Sequence, residues 1–233
     1  MKNRYKHLFF DLDKTLAPSR QQIRDHMFEL VSSLPHDIVI VTGQAVEVVA
    51  WQSSGLRAFK MGQNGNHALD IDDAELWKIP LEANHKLEIH SHIQKLLELI
   101  DDAPTEEWSP IEDRGAQITF SPVGNTAPVE VKAPYDPDAS KRLALLERCP
   151  FVSDELVVKI GGSTSFDYIH KDRHKGTNVR KLIDHLGWNI NECVYFGDGL
   201  YPGGNDEAVI GIIDTIAVND EEETYKILKK NML

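Results

Sequence analysis

Cysteine is nearly absent from this chain of 233 residues, which has only Cys149 and Cys193. Their number and spacing exclude a disulfide framework or a cysteine metal site, so both are expected to be reduced and packed. Long apolar runs are missing as well. The longest, around residues 7–10 and 37–41, are far too short to cross a bilayer. The N-terminal stretch Met1-Lys2-Asn3-Arg4-Tyr5-Lys6-His7 is basic, but too few apolar residues follow it for a signal peptide. A cytoplasmic location away from membranes is expected. Positive charge is also short: 25 Lys+Arg face 37 Asp+Glu, for a formal net charge of -12. That argues against general nucleic-acid binding, which needs a basic face to neutralise phosphates. What is present is 41% hydrophobic residues, enough for a real core.

The N-terminal third alternates short β-branched or aromatic runs with helical patterns. Strands are expected at 7–10, 37–41 and 57–61, helices at 21–33 and 45–52, and a turn at Gln63-Asn64-Gly65-Asn66. The middle changes character. A helix is expected over 81–100, with Leu87, Ile93, Leu96, Leu97 and Ile100 as its apolar stripe. Strands follow at 117–123, 156–160 and 163–169, and a Pro-rich stretch leads into a helix at 139–148. Alternation then resumes with a helix at 177–186, strands at 193–196 and 215–218, and a closing helix from Glu221. No internal repeat is visible. The pattern predicts an α/β fold, a parallel-sheet core built from residues 1–80 and 173–233, with an α+β module of residues 81–172 inserted into it.

Four elements carry chemistry. Asp11 and Asp13, in Asp11-Leu12-Asp13-Lys14-Thr15, follow the first strand directly. Side chains two apart on extended chain share a face, and ligands of open parallel sheets bind beyond the carboxyl ends of the strands. Two carboxylates that close repel unless a cation such as Mg2+ joins them or one is protonated. Thr42 and Gly43 end the second strand, where a hydroxyl and main-chain N–H groups can hold a phosphate oxygen. Thr-Gly also begins helices for structural reasons, so this element alone is weak. Lys175 opens a late helix, where its charge opposes the helix dipole; there it could neutralise a phosphoryl group. Asp198 ends the run Val194-Tyr195-Phe196-Gly197-Asp198, and Asp206 closes the Gly-rich loop after it. Both are candidate metal-site acids, although Asn205-Asp206 could equally cap a helix. The ten histidines are expected to be solvated or packed, and the acidic patches at 70–75 and 220–223 to be solvated faces or helix starts.

Taken in order along the chain, these elements resemble the haloacid dehalogenase superfamily of phosphatases and phosphomutases. The inserted module resembles that superfamily's IIB-type cap. Within it, the stretches Thr15-Leu16-Ala17-Pro18-Ser19-Arg20, Gln63-Asn64-Gly65, Ser121-Pro122-Val123-Gly124 and Phe196–Asp206 are most similar to eukaryotic-type phosphomannomutases. The resemblance implies a Rossmann-like core and an aspartyl-phosphate on Asp11, with Asp13 as general acid/base. It assigns phosphate contacts to Thr42, Gly43 and Lys175. Mg2+ falls to Asp11, Asp198, Asp206 and the main-chain carbonyl of Asp13. Arg20, Arg114, Lys132, Ser165 and Asp167 match sugar-phosphate contacts. Three positions depart from the mutases: Asn125 and Lys132 replace cap arginines, and Lys14 replaces a glycine. Asparagine cannot supply the bidentate fork of arginine, and lysine supplies it only in part.

A mutase must hold a bisphosphate in two orientations, so a weakened distal grip harms it more than it harms a phosphatase. The sequence therefore ranks a Mg2+-dependent phosphatase of a small sugar phosphate first. A phosphomannomutase-like enzyme comes second, and a non-catalytic sugar-phosphate sensor last. The resemblance also raises a homodimer through the cap, and cap closure about hinges near Pro80 and Asp172.

Overall fold

The computed structural model describes residues 4–101 and 105–231. Residues 1–3 of the basic N-terminal stretch lie outside it. The chain separates into two compact units, Met1–Lys78 with Arg173–Leu233, and Ile79–Asp172.

The first unit begins β1 (His7–Phe10), α1 (Asp25–Ser33), β2 (Asp37–Val41), α2 (Val46–Gln52), β3 (Phe59–Gly62), β4 (His67–Leu69) and β5 (Glu75–Lys78). The inserted unit follows: α3 (Ala83–Leu97), β6 (Ile111–Asp113), β7 (Gln117–Phe120), α4 (Val129–Lys132), α5 (Ser140–Arg148), β8 (Leu156–Gly161) and β9 (Ser165–His170). The chain then returns with α6 (Lys175–Leu186), β10 (Cys193–Gly197), β11 (Asp214–Ala217) and α7 (Glu221–Asn231).

The first unit's sheet runs β11-β10-β1-β2-β3-β4-β5. Strands β11 to β3 are parallel, while β4 and β5 turn back antiparallel at one edge. Every residue of β1 is buried because both sheet faces are covered. Strand alternation sorts the core in two. Leu8, Phe10, Ile38, Ile40, Val194 and Phe196 pack with α1 and α7; Phe9, Val39, Val41, Met61 and Tyr195 pack with α6. Among the described residues no helix is long and apolar enough to cross a membrane. Both cysteines are free thiols, with Cys193 in the core.

The expected helix over 21–33 starts four residues late, at Asp25. Residues 21–23 are instead strapped to the end of α2, with Ile23 N–H donating to the Gln52 carbonyl at 2.7 Å. Strands β4, β5 and β6 were not expected. The acidic patch before β5 is a turn in which Asp70 Oδ1 accepts from the N–H groups of Asp72 and Ala74. The second acidic patch starts α7, with Asp220 Oδ1 accepting from Glu223 N–H at 2.8 Å.

In the inserted unit, the antiparallel sheet β6-β7-β9-β8 lays Ile118, Phe120, Phe166 and Tyr168 against α3 and α5. The stripe expected on α3 holds at Ile93 and Leu96, which are buried, and at Leu97 and Ile100, which pack against them. Only Leu87 fails, at 72% exposed, and Ile89 takes its place in the core. Two histidines, His85 and His92, complete that buried face, and their polarity concealed it in the sequence. The opposite sheet face is polar, with Glu112, Thr119, Asp167 and Lys159 in register across all four strands.

Candidate active site

Parallel pairing fixes the first relationship. Phe10 lies opposite both Ile40 and Phe196, so β1, β2 and β10 end within one residue of each other at the carboxyl end of the sheet. Asp11 is the first residue past β1, and its N–H donates to the Phe196 carbonyl at 2.9 Å. The chain then turns tightly, Leu12 carbonyl accepting from Leu16 and Ala17 N–H at 3.0 Å each. Thr15, fully buried, accepts from Asp198 N–H at 3.1 Å and so ties the first motif to the fourth. Lys14 sits in this turn at φ 58, a left-handed conformation that favours glycine.

Lys175, the first residue of α6, is 1% exposed. It is not the solvated helix-start lysine of the plain alternative. Its Nζ lies 2.5 Å from Asp11 Oδ1 and 2.6 Å from Asp206 Oδ1. Burial alone would lower the Lys175 pKa, but the two carboxylates outweigh it and raise it above the ordinary lysine value. Burial pushes Asp11 up to about 7; Lys175 opposes that rise, and Asp206 and Asp198 add to it. Burial and then Asp206 likewise push Asp198 up, while Lys14 and Lys175 draw it down.

Gly176 makes this geometry possible. A Cβ there would stand 1.8 Å from the Ala208 carbonyl oxygen, so only glycine lets α6 meet the turn that carries Asp206. Asp206 itself accepts from Lys175, from the Tyr195 hydroxyl at 2.7 Å and from Gly199 N–H at 3.1 Å. Tyr195 was missed in the sequence, where it reads as one more core aromatic of β10.

Asp11, Asp198 and Asp206 each offer an oxygen within 4.8 Å of the others. Three hard oxygen donors, two of them pushed towards protonation by burial and by one another, fit a divalent cation such as Mg2+. The Asp13 side chain lies outside this group. Its carboxylate accepts from Gln44 Nε2 at 2.6 Å, Gln52 Nε2 at 3.1 Å and Arg20 N–H at 2.6 Å. Arg20 therefore reaches Asp13 with its main chain, while its side chain is exposed.

Thr42 is buried past the end of β2, with its N–H donating to the Met61 carbonyl at 2.9 Å and its Oγ1 accepting from Gln44 N–H at 3.3 Å. Gly43 follows it, half-buried.

The remaining expected residues belong to the inserted unit. Asp167 is held by the Thr119 hydroxyl at 2.9 Å, and burial raises its pKa despite Thr119 and Arg114. Arg114 pairs with Glu112 at 2.7 Å, and Ser165 donates to the Gly161 carbonyl at 2.8 Å. The two departures at cap-arginine positions meet each other. Asn125 turns its amide onto main chain of the inserted unit, donating to the carbonyls of Ser109 and Pro110 ahead of β6 and of Thr119 in β7 at 3.0, 3.1 and 3.3 Å, and Lys132 Nζ donates to the Asn125 carbonyl.

A Rossmann-like sheet with this motif order and an inserted α+β unit defines an enzyme of the haloacid dehalogenase superfamily. Solved structures agree on the fold. A haloacid dehalogenase-like hydrolase from B. subtilis superposes with a TM-score of 0.68 at 14% identity, covering 98% of this chain and 100% of that one. An N-terminally truncated, IMP-bound IMP-nucleotidase of Plasmodium falciparum gives a TM-score of 0.67 at 19% identity, covering 98% of this chain and 68% of that one. Within the superfamily, residues 54–233 match the family model of the eukaryotic phosphomannomutases, and the chain belongs to that family. The spinach phosphomannomutase is 26% identical over 240 residues, covering 93% of this chain and 92% of the relative. That of Drosophila melanogaster is 28% identical over 240 residues, covering 95% and 93%.

Proposed function

We propose that the chain moves a phosphoryl group between sugar phosphates through an aspartyl-phosphate on Asp11, as a Mg2+-dependent phosphomannomutase-type enzyme interconverting mannose 1-phosphate and mannose 6-phosphate. The observation that carries this is the buried contact of Lys175 with Asp11, in a chain of the phosphomannomutase family. The sequence alone ranked hydrolysis first; family membership reverses that order.

Asp11 attacks phosphorus in line, and Asp13 gives a proton to the departing sugar oxygen. In the second half, a sugar hydroxyl attacks the aspartyl-phosphate, its proton passes to Asp13, and the bond from phosphorus to Asp11 breaks. Lys175 neutralises charge on Asp11 and on the phosphoryl group through both steps. Thr42 and Gly43 position phosphate oxygens. Asp11, Asp198 and Asp206, with the Asp13 carbonyl, would hold Mg2+, whose chemistry here is to offset the negative charge of the phosphoryl group. Arg114, Ser165, Asp167, Lys132 and Arg20 would bind the sugar phosphate. The acidic charge and the small-metabolite substrate suit a cytoplasmic enzyme. The homodimer through the inserted unit stays part of the same proposal.

The second reading, a sugar-phosphate phosphatase, is favoured by one specific observation. The Asn125 amide is spent on three main-chain carbonyls of the inserted unit and offers no fork to a second phosphate. Incubation with mannose 1-phosphate, with and without a hexose 1,6-bisphosphate, separates the two. Bisphosphate-dependent mannose 6-phosphate supports the mutase; free phosphate without mannose 6-phosphate replaces it with the phosphatase. Asp11→Asn is expected to abolish either reaction, and full turnover by that variant would reject the aspartyl-phosphate.

A further inference from the structure

Three N–H donors hold the Asp13 carboxylate, and none is a cation. Gln44 Nε2 bonds Oδ2; Gln52 Nε2 and the Arg20 main chain bond Oδ1. Gln52, the last residue of α2, is fully buried, a depth at which an amide is costly unless its hydrogen bonds are met. The two amides also bond each other, Gln44 Nε2 donating to Gln52 Oε1 at 3.0 Å.

The direction of these bonds is fixed. Gln52 Nε2 donates to the Gln21 carbonyl at 3.0 Å, and a main-chain carbonyl can only accept. Gln52 must therefore turn its nitrogen to Gln21 and its oxygen to Gln44, and Gln44 must meet that oxygen with its own nitrogen. Both amides consequently face Asp13 nitrogen first. Flipping either would set oxygen against oxygen. Their main chains are pinned too: Ile23 N–H donates to the Gln52 carbonyl at 2.7 Å, and Gln63 N–H to that of Gln44 at 2.6 Å.

We infer that Gln44 and Gln52 are positioning residues that aim Asp13 as a proton acceptor for the second half-reaction, an inference that rests on Asp13 being the acid/base. A carboxylate offers about four lone-pair sites. The three donors leave a position for the proton of the incoming hydroxyl as its oxygen bonds phosphorus and the phosphorus–Asp11 bond breaks.

Burst kinetics with 4-nitrophenyl phosphate test this, because 4-nitrophenolate departs without needing a proton. In Gln44→Met, at a half-buried position, phosphorylation of Asp11 should keep its wild-type rate while release slows by about 10–100-fold. The trace would show about one equivalent of nitrophenolate, then slow turnover, with phosphoenzyme trapped by acid quench. Gln52→Met should behave alike, and a melting temperature verifies that each variant is folded. Burst and steady rates that fall together, or do not change, overturn the inference. Asp13→Asn separates the two levels. If it shows burst then slow release while Gln44→Met does not, the positioning role alone fails. If Asp13→Asn shows no such pattern, the acid/base reading fails and takes the inference with it.

Discussion

The ammonium of Lys175 lies 2.6 Å from the carboxylate of Asp206, at a depth where neither side chain reaches solvent. Asp11 completes the cluster, so one cation serves two buried acids. Removing one partner of a buried ion pair costs about 3–5 kcal/mol, because the survivor keeps its charge without compensation. Lys175→Met should therefore lower the melting temperature measured in EDTA and cut turnover at least about 100-fold. Adding MgCl2 should raise the variant's melting temperature more than the wild type's, since a bound cation stabilises the folded state by mass action. Equal melting temperatures in EDTA would contradict the cluster's role.

Gly176→Ala places a methyl group 1.8 Å from a main-chain oxygen that no rotamer change can move aside. Over-packing of this kind costs about 1–3 kcal/mol. Urea midpoints should fall accordingly. Turnover should fall as well, because the displaced turn carries Asp206.

Asn125→Ala removes three amide–carbonyl bonds within the inserted unit. A loss of about 1–3 kcal/mol is expected for carbonyls left with fewer partners. KM for a sugar monophosphate should stay within about twofold, since the amide is committed to main-chain carbonyls. A large rise in KM would show that Asn125 touches substrate after all.

His92 makes a pH-dependent contribution to stability. Its Nδ1 lies 2.7 Å from the Tyr168 hydroxyl and its Nε2 2.9 Å from the Cys149 carbonyl. A neutral ring satisfies both by donating from Nε2 and accepting at Nδ1. Burial lowers the His92 pKa, with only partial opposition from the Cys149 carbonyl. Above the ordinary value of about 6.5, His92 is neutral in folded and unfolded chains alike and its contribution is complete. Below that value the unfolded state takes the proton first, so stability declines as pH falls. Tyr168→Phe strands Nδ1 and should cost about 1–3 kcal/mol at neutral pH. His92→Gln should flatten the decline measured by urea denaturation between pH 7 and 5, and an unchanged slope would contradict this account.

The residues legible in the sequence were those whose type and position both carried a signal. Asp11, Thr42 and Asp198 each follow an apolar β-run directly, Asp13 stands two residues past Asp11, and parallel pairing brings those run ends together at the carboxyl end of the sheet. Lys175 was legible as a charge misplaced at a helix start. Tyr195, Gln44 and Gln52 were not, because a tyrosine in an apolar strand reads as core and a glutamine near a helix end reads as solvated. Their roles arise only when the Gln21 carbonyl or Asp206 arrives from elsewhere in the chain. Strand β4 escaped notice because its three residues are too short for periodicity to register. The α3 stripe was right from Ile93 onward and wrong only at Leu87, because His85 and His92 occupy positions where an apolar residue would have declared the rest of the face.

Strand β1 lies between β2 and β10, and this placement governs how the chain can be made. One neighbour of β1 emerges from the ribosome within a few dozen residues; the other comes only after the whole inserted unit has been synthesised. That unit pairs its strands among themselves, so it can be complete before α6 and β10 exist. Until then the nascent N-terminal segment exposes an unpaired strand edge, the hallmark of slow, aggregation-prone assembly. Expression yield should therefore respond more to chaperone supply and translation speed than the chain's modest length suggests.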